Sequence, residues 1–231
     1  MTLDALGVDF GDRDVFYAPD EWNQEGYFER RDIIDLNSRI ITGFARTQGA
    51  LPSGVGQVRY LLQPSSRSMI RRAQLFSEQI KRTADILGDI FVKDPRFALT
   101  LPAWHPYVRQ VIVSLRRPDH VALSLKRRQR VPLRVSYGFW NYHARALLAL
   151  QHEHVHYVDF DVLAGESPDA ELTGLARFLG LETSSCDLRA ALASKFAPQL
   201  KHFDSGVPAQ LPSPTDELWE ELSARRRAAG H

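Results

Sequence analysis

Arg116 and Ser124 stand eight residues apart, with Pro118 between them. An arginine offers a planar fork of N–H donors that matches phosphate oxygens, and a serine hydroxyl adds one more donor. Val111 to Leu115 is a short apolar run that reads as a buried strand, so Arg116 falls at a strand end. Pro118 suits the first turn of a following helix. Ser124 then lies about two turns into that helix, whose N-terminal end adds partial positive charge. Together these groups could grip a phosphate. A solvated Arg-Arg-Pro turn is the alternative. Lys93-Asp94-Pro95-Arg96 is a second basic segment after an apolar run, Ile90-Phe91-Val92. Ligands of open α/β sheets bind beyond the carboxyl ends of the strands, which directs attention to both segments.

The elements that must position these residues can be read from periodicity. Ile33, Leu36, Ile40 and Phe44 predict a helix over 32–46. Residues 48–66, with three glycines and two prolines, predict a loop. Met69, Ala73, Phe76, Ile80 and Leu87 predict one long helix over 67–88, ended by Gly88. Strands are expected at 90–92, 111–115 and 155–160. Helices are expected from Pro118 to about Arg130 and over 137–151, the latter with Trp140, Ala144, Leu147 and Leu148 on one face. Ser167-Pro168 reads as an N-cap and first helical position, ahead of a stripe of Leu172, Leu175, Ala176 and Leu179 that Gly180 closes. Beyond Lys201 come Pro208, Pro212 and Pro214, then a charged helix read as a peripheral lid or a loose end. Strands alternating with helices imply an α/β fold with a parallel sheet.

Composition narrows the classes. The 231 residues suit one domain with a small appendage, and 44% hydrophobic residues can build a core. Lys plus Arg number 29 against 28 Asp plus Glu, which argues against a generally basic nucleic-acid coat. The single cysteine, Cys186, excludes an internal disulfide and reads as an inert residue of a reducing compartment. Neither a signal peptide nor a spanning segment is visible, so the expected location is the cytoplasm.

The segment Val111 to Ser124 resembles the 3′-phosphate-binding segment of PAPS-dependent sulfotransferases: an apolar strand, Arg, any residue, Pro, and Ser eight residues after the Arg. Leu6 to Asp12, Gly26 to Ile33, Lys93 to Arg96, Val158 to Leu163 and Leu175 to Leu181 resemble further parts of bacterial members, in the same order. The resemblance covers about residues 6–181. It implies a P-loop-kinase-like three-layer sandwich with a central parallel sheet. It also implies transfer of a sulfuryl group from PAPS, as donor substrate, to a hydroxyl or amine. Arg116 and Ser124 would bind the donor's 3′-phosphate. Lys93 would offset charge developing on the bridging oxygen. Arg96 would assist, or bind a carboxylate of the fold. Glu29 is the first candidate for the base that takes the acceptor's proton, because some relatives use a glutamate located after the donor loop. His105 is the second, on account of its near-neutral titration. The alternatives are that Glu29 pairs with Arg30 or Arg31 or caps the helix near Asp32, and that His105 has no role.

The chain departs from the family pattern at its start. Met1 to Leu6 lines up with the end of the helix that should follow the first strand and the Gly-Ser/Thr-rich loop for the 5′-phosphosulfate, so that strand and loop are expected to be missing. Ser53-Gly54-Val55-Gly56 comes too late and follows no apolar strand. An upstream start, a degenerate member without transferase activity, or a second chain supplying the piece are the three explanations open. The expected division is a sulfotransferase-like domain over 1–203 and a Pro-rich segment with a charged helix over 204–231.

Two further constellations hold residues that could bind a ligand. His152, His154 and His156 alternate, with His143 nine residues earlier, and alternate strand positions share a face. The ligand spacing of a metal site is lacking, and a polar strand entry is the expectation, with no metal. Lys126-Arg127-Arg128-Gln129-Arg130, continuing to Arg134, could contact RNA, a polyanionic glycan or an acidic partner; a solvated helix end is the expectation. The sequence therefore points to a sulfotransferase acting on a carbohydrate or small-molecule hydroxyl. The rival is a non-catalytic relative that binds a 3′-phosphonucleotide or an anionic partner; nucleic acid is not expected.

Overall fold

The computed structural model describes residues 2–18, 26–44, 60–165, 167–182, 187, 189–190 and 210–229. Its contacts divide the chain into two compact units, one of residues 8–108 and one of residues 1–7 with 109–231. The expected loop at 48–66 lies largely outside the described residues, as do Ser53 to Gly56 and Cys186.

The 8–108 unit is helical. Helix α1 (Arg31–Thr42) buries Ile33, Ile34, Leu36, Ile40 and Ile41. Each such side chain contributes about 1.5–3 kcal/mol on burial. The helix stops short of the predicted 46 because Gly43 takes the left-handed conformation, φ 83°, and caps it. Phe44 is consequently left exposed. The single helix expected over 67–88 is two, α2 (Ser66–Leu75) and α3 (Ser77–Leu87), broken at Phe76 where φ is −104° and ψ 9°. Arg72 of α2 donates to the carbonyls of Ile40 and Ile41, so a cation satisfies the open end of α1. Helix α4 (Phe97–Trp104) completes the unit's set of longer helices among the described residues.

Ile90-Phe91-Val92 does not form the expected strand. Phe91 donates one backbone hydrogen bond to Asp9 and packs on Phe10, but no ladder flanks it among the described residues. A half-buried apolar triplet can satisfy itself against a loop as readily as in a sheet. Gly11, φ 73°, lies so close that a Cβ there would meet Ile90 Cδ1 at 2.9 Å.

The other unit is α/β. Strands β1 (Val111–Leu115) and β2 (Val155–Asp159) pair in parallel with Val111 opposite Val155 and Leu115 opposite Asp159. Helices α5 (Pro118–Gln129) and α6 (Leu133–Leu148) make the crossover that parallel strands require. Helix α6 starts four residues before the predicted 137. Its Ala144, Trp140, Leu147 and Leu148 join Val113, Leu115 and Tyr157 in the core, as the periodicity requires. Helix α7 (Asp169–Phe178) packs Leu172 and Ala176 with Leu6, Leu163 and Leu181. Pro168 is its N-cap residue and no side chain caps it, so Ser167 does not play the expected part.

The C-terminal helix α8 (Ser213–Ala229) is not a loose end. Leu222 is 1% exposed within the β1–β2 core, and Trp219 packs near Trp140. Charge dominates its sequence, but one apolar stripe and one arginine suffice to dock it.

Candidate functional site

The register of the two strands creates the first cluster. Leu115 is opposite Asp159, so Arg116 and Phe160 leave the sheet side by side. The Arg116 guanidinium lies over the Phe160 ring, 4.8 Å from its centroid, and its Nε is 4.0 Å from Asp161 Oδ1. Burial holds the Arg116 pKa below the usual arginine range against the opposing pull of Asp161. Asp161 sits in a short helix, Phe160–Leu163, whose first amides are capped by the Asp159 carboxylate. Its second oxygen accepts from the Arg117 amide at 3.0 Å. Its first accepts from His120 Nδ1 at 2.9 Å.

Two acids therefore occupy the start of α5, where the sequence suggested an open positive end. Asp161 takes the Arg117 amide, and Asp119, wholly buried, takes the His120 amide and both guanidinium arms of Arg117. Positive charge at this edge comes from side chains rather than from backbone amides. Ser124 is half-buried on α5, about 10 Å of helical rise beyond Arg117. Among the described residues its hydroxyl makes no hydrogen bond.

The second cluster lies in the 8–108 unit. Lys93 Nζ donates to the Tyr27 carbonyl and to Glu29 Oε1, each at 2.9 Å. The other Glu29 oxygen is 4.0 Å from Arg96. Phe28, between these two Lys93 partners, adopts φ 53°, an unfavourable value for a bulky residue, and is buried against Phe10. That turn brings the Tyr27 carbonyl and the Glu29 carboxylate to one ammonium. The Tyr17 amide fixes Glu29 further by donating to its carbonyl.

Arg96 binds a carboxylate of the fold. It donates to Asp94 at 2.8 Å, and Asp94 also accepts from Asn37 at 2.9 Å. Burial works against the Arg96 charge, but Asp94, Tyr60 and Glu29 more than offset it and hold its pKa above the ordinary value. Asn37 Oδ1 accepts from Thr100 and from Trp104 Nε1, both at 2.9 Å. Glu29 does not cap α1 or pair with its neighbours: Arg30 is bound to Asp32, and Arg31 donates to the Asp14 and Val15 carbonyls. His105 is exposed at the far end of α4, about 13 Å of helical rise from Arg96.

β2 begins at Val155, so strand alternation does not align His152 and His154 with His156. His156 stacks on Phe178, with ring centroids 5.2 Å apart. No group of three metal-ligating side chains is assembled among the described residues. Lys126 to Arg130 are exposed at the end of α5, which Arg130 closes at φ 55°. Among the described residues no helix is long and apolar enough to cross a membrane.

Comparisons with family models, curated proteins and solved structures returned no match. His120 and Asp161 escaped the sequence reading. His120 lies between Arg116 and Ser124, but its partner is 41 residues away and their meeting depends on the strand register.

Proposed function

We propose that this chain is a sulfotransferase-like domain of the P-loop-kinase-like three-layer class, using PAPS to sulfate a carbohydrate or small-molecule hydroxyl. One observation carries the reading: Arg116 directly follows a parallel strand, and Ser124 presents an uncommitted hydroxyl on the next helix. In an open α/β sheet that is where a phosphorylated ligand binds. Arg116 and Ser124 would take the 3′-phosphate of the donor.

Lys93 and Glu29 would serve the transfer itself. The acceptor oxygen attacks sulfur, its proton passes to the Glu29 carboxylate, and the bond from sulfur to the bridging oxygen breaks. The PAP released keeps the bridging oxygen and its negative charge, which Lys93 stabilises. The 2.9 Å Lys93–Glu29 contact supports a linked exchange: protonating Glu29 weakens its hold on Lys93 as charge develops on the leaving oxygen. Arg96, bound to Asp94, would orient Glu29 rather than touch the donor.

Calorimetric titration with PAP is the deciding experiment. Wild-type protein should bind it, and Arg116→Ala should abolish binding while keeping the circular dichroism spectrum. Equal affinity in both proteins would overturn the assignment. Binding of PAP without any PAPS turnover over a panel of hydroxyl acceptors would identify a non-catalytic 3′-phosphonucleotide binder.

A further inference from the structure

His120 has no part in the reading above, yet it shares an oxygen with Arg116. Asp161 Oδ1 lies 2.9 Å from His120 Nδ1 and 4.0 Å from Arg116 Nε. A carboxylate only accepts, so Nδ1 carries the proton and the imidazole is held in one orientation. Nε2 is then the ring atom left to meet a ligand, and the side chain keeps 18% of its surface open to solvent.

The charges around the imidazole come from several elements. Arg116 follows β1; Asp161 lies in the 160–163 helix; Arg117 and Asp119 belong to the start of α5. Asp119 and Arg117 also act on Tyr137 of α6, whose phenol is pushed up chiefly by burial and then by Asp119. Behind Asp161, Asp159 and Glu171 are paired with Arg226 of α8. The two arginines at the strand end are matched by two aspartates. A neutral imidazole leaves that foursome formally uncharged; an imidazolium makes it +1 and turns Nε2 into a donor.

We propose that His120 is a third oxyanion-binding group of the strand-end site, joining Arg116 to hold a phosphate or sulfate group when its imidazole is protonated. His120 has this role only if Arg116 takes an oxyanion, as proposed above. Affinity for a dianion then rises toward acid pH, through a residue eight-tenths covered and fixed by Asp161.

Inorganic sulfate tests this cleanly, because its own charge is constant over the range in which histidine titrates. Sulfate is titrated into the whole chain at about pH 6 and about pH 8, following imidazole NMR signals, with the His120 signal identified by its loss in His120→Gln. Arg116→Ala serves as the binding control. The expected result is about tenfold tighter binding at the lower pH, a shift of the His120 signal at saturation, and loss of the pH effect in His120→Gln. Equal affinity at both pH values, an unmoved His120 signal, or an unchanged pH effect in His120→Gln would overturn the proposal. PAP titrated into the same samples judges the donor assignment separately. PAP binding without a His120 effect leaves that assignment standing, whereas a His120-dependent sulfate site that rejects PAP removes the assignment alone.

Discussion

Lys93 Nζ is 2.9 Å from Glu29 Oε1, and the two residues are 64 positions apart in the chain. Lys93 is about half exposed while Glu29 is almost covered, so the pair presents its ammonium outward and keeps its carboxylate inside.

Replacing either partner should separate binding from turnover. Lys93→Ala is expected to lower PAP release from PAPS by about 10²–10³-fold, the usual loss when one charge-stabilising donor is removed. Glu29→Gln keeps the shape and should cost a comparable factor through the lost base, about 10²–10⁴-fold. PAP affinity should stay unchanged in both. A parallel fall in PAP affinity would show that the pair only supports the binding fold.

The Asp94 network should govern the stability of the 8–108 unit. Asp94→Ala strips Arg96 and Asn37 of a shared, buried acceptor. Removing one partner of a buried ion pair costs about 3–5 kcal/mol. Urea denaturation of the variant should show a loss of that size; a change within the error of the midpoint would refute the buried network.

Acid should weaken the fold through His156. Burial holds its imidazole below the ordinary histidine value, with Glu171 pulling the other way. The unfolded chain therefore takes up its proton near the ordinary value of about 6.5, before the folded chain does. This contribution to stability is present above that pH and is lost as the pH falls through the lower folded value. Urea midpoints at about pH 7.5 and about pH 5.5 should diverge in the wild type and draw closer in His156→Gln. Equal divergence in both proteins would assign the acid sensitivity elsewhere.

The last helix should behave as core. Leu222→Ala should destabilise by about 2–5 kcal/mol, the range for emptying a buried leucine site. A shift in thermal midpoint too small to resolve would restore the expectation of a loose end.

Much of the α/β unit was legible because its signals are local. The run 111–115 and the stripe around Ala144 state their own burial, and both lie where periodicity put them. What escaped was decided by distant partners. Ile90 to Val92 carries strand composition, yet among the described residues it meets Asp9 and Phe10 and no neighbouring strand. The break at Phe76 has no glycine or proline to announce it. Of the candidate site, Arg116, Ser124 and the Lys93–Arg96 segment stand out by type and spacing, whereas Glu29 is singled out by the resemblance alone. Their surroundings do not stand out: Asp161 reaches His120 across 41 residues, and Asn37 reaches Asp94 across 57.

The bond from Arg226 to Asp159 sets a timetable. Asp159 caps the turn that aims Asp161 at Arg116, and its own oxygen is held by an arginine 67 residues further on. The ribosome makes Arg226 about 110 residues after Arg116, a delay of roughly 5–20 s. Until then β1 and β2 lack the helix that buries Leu222 against them and brings Arg226 to Asp159 and Glu171. The strand-end arrangement around Arg116 and Asp161 is therefore completed only when the last helix of the chain has been made.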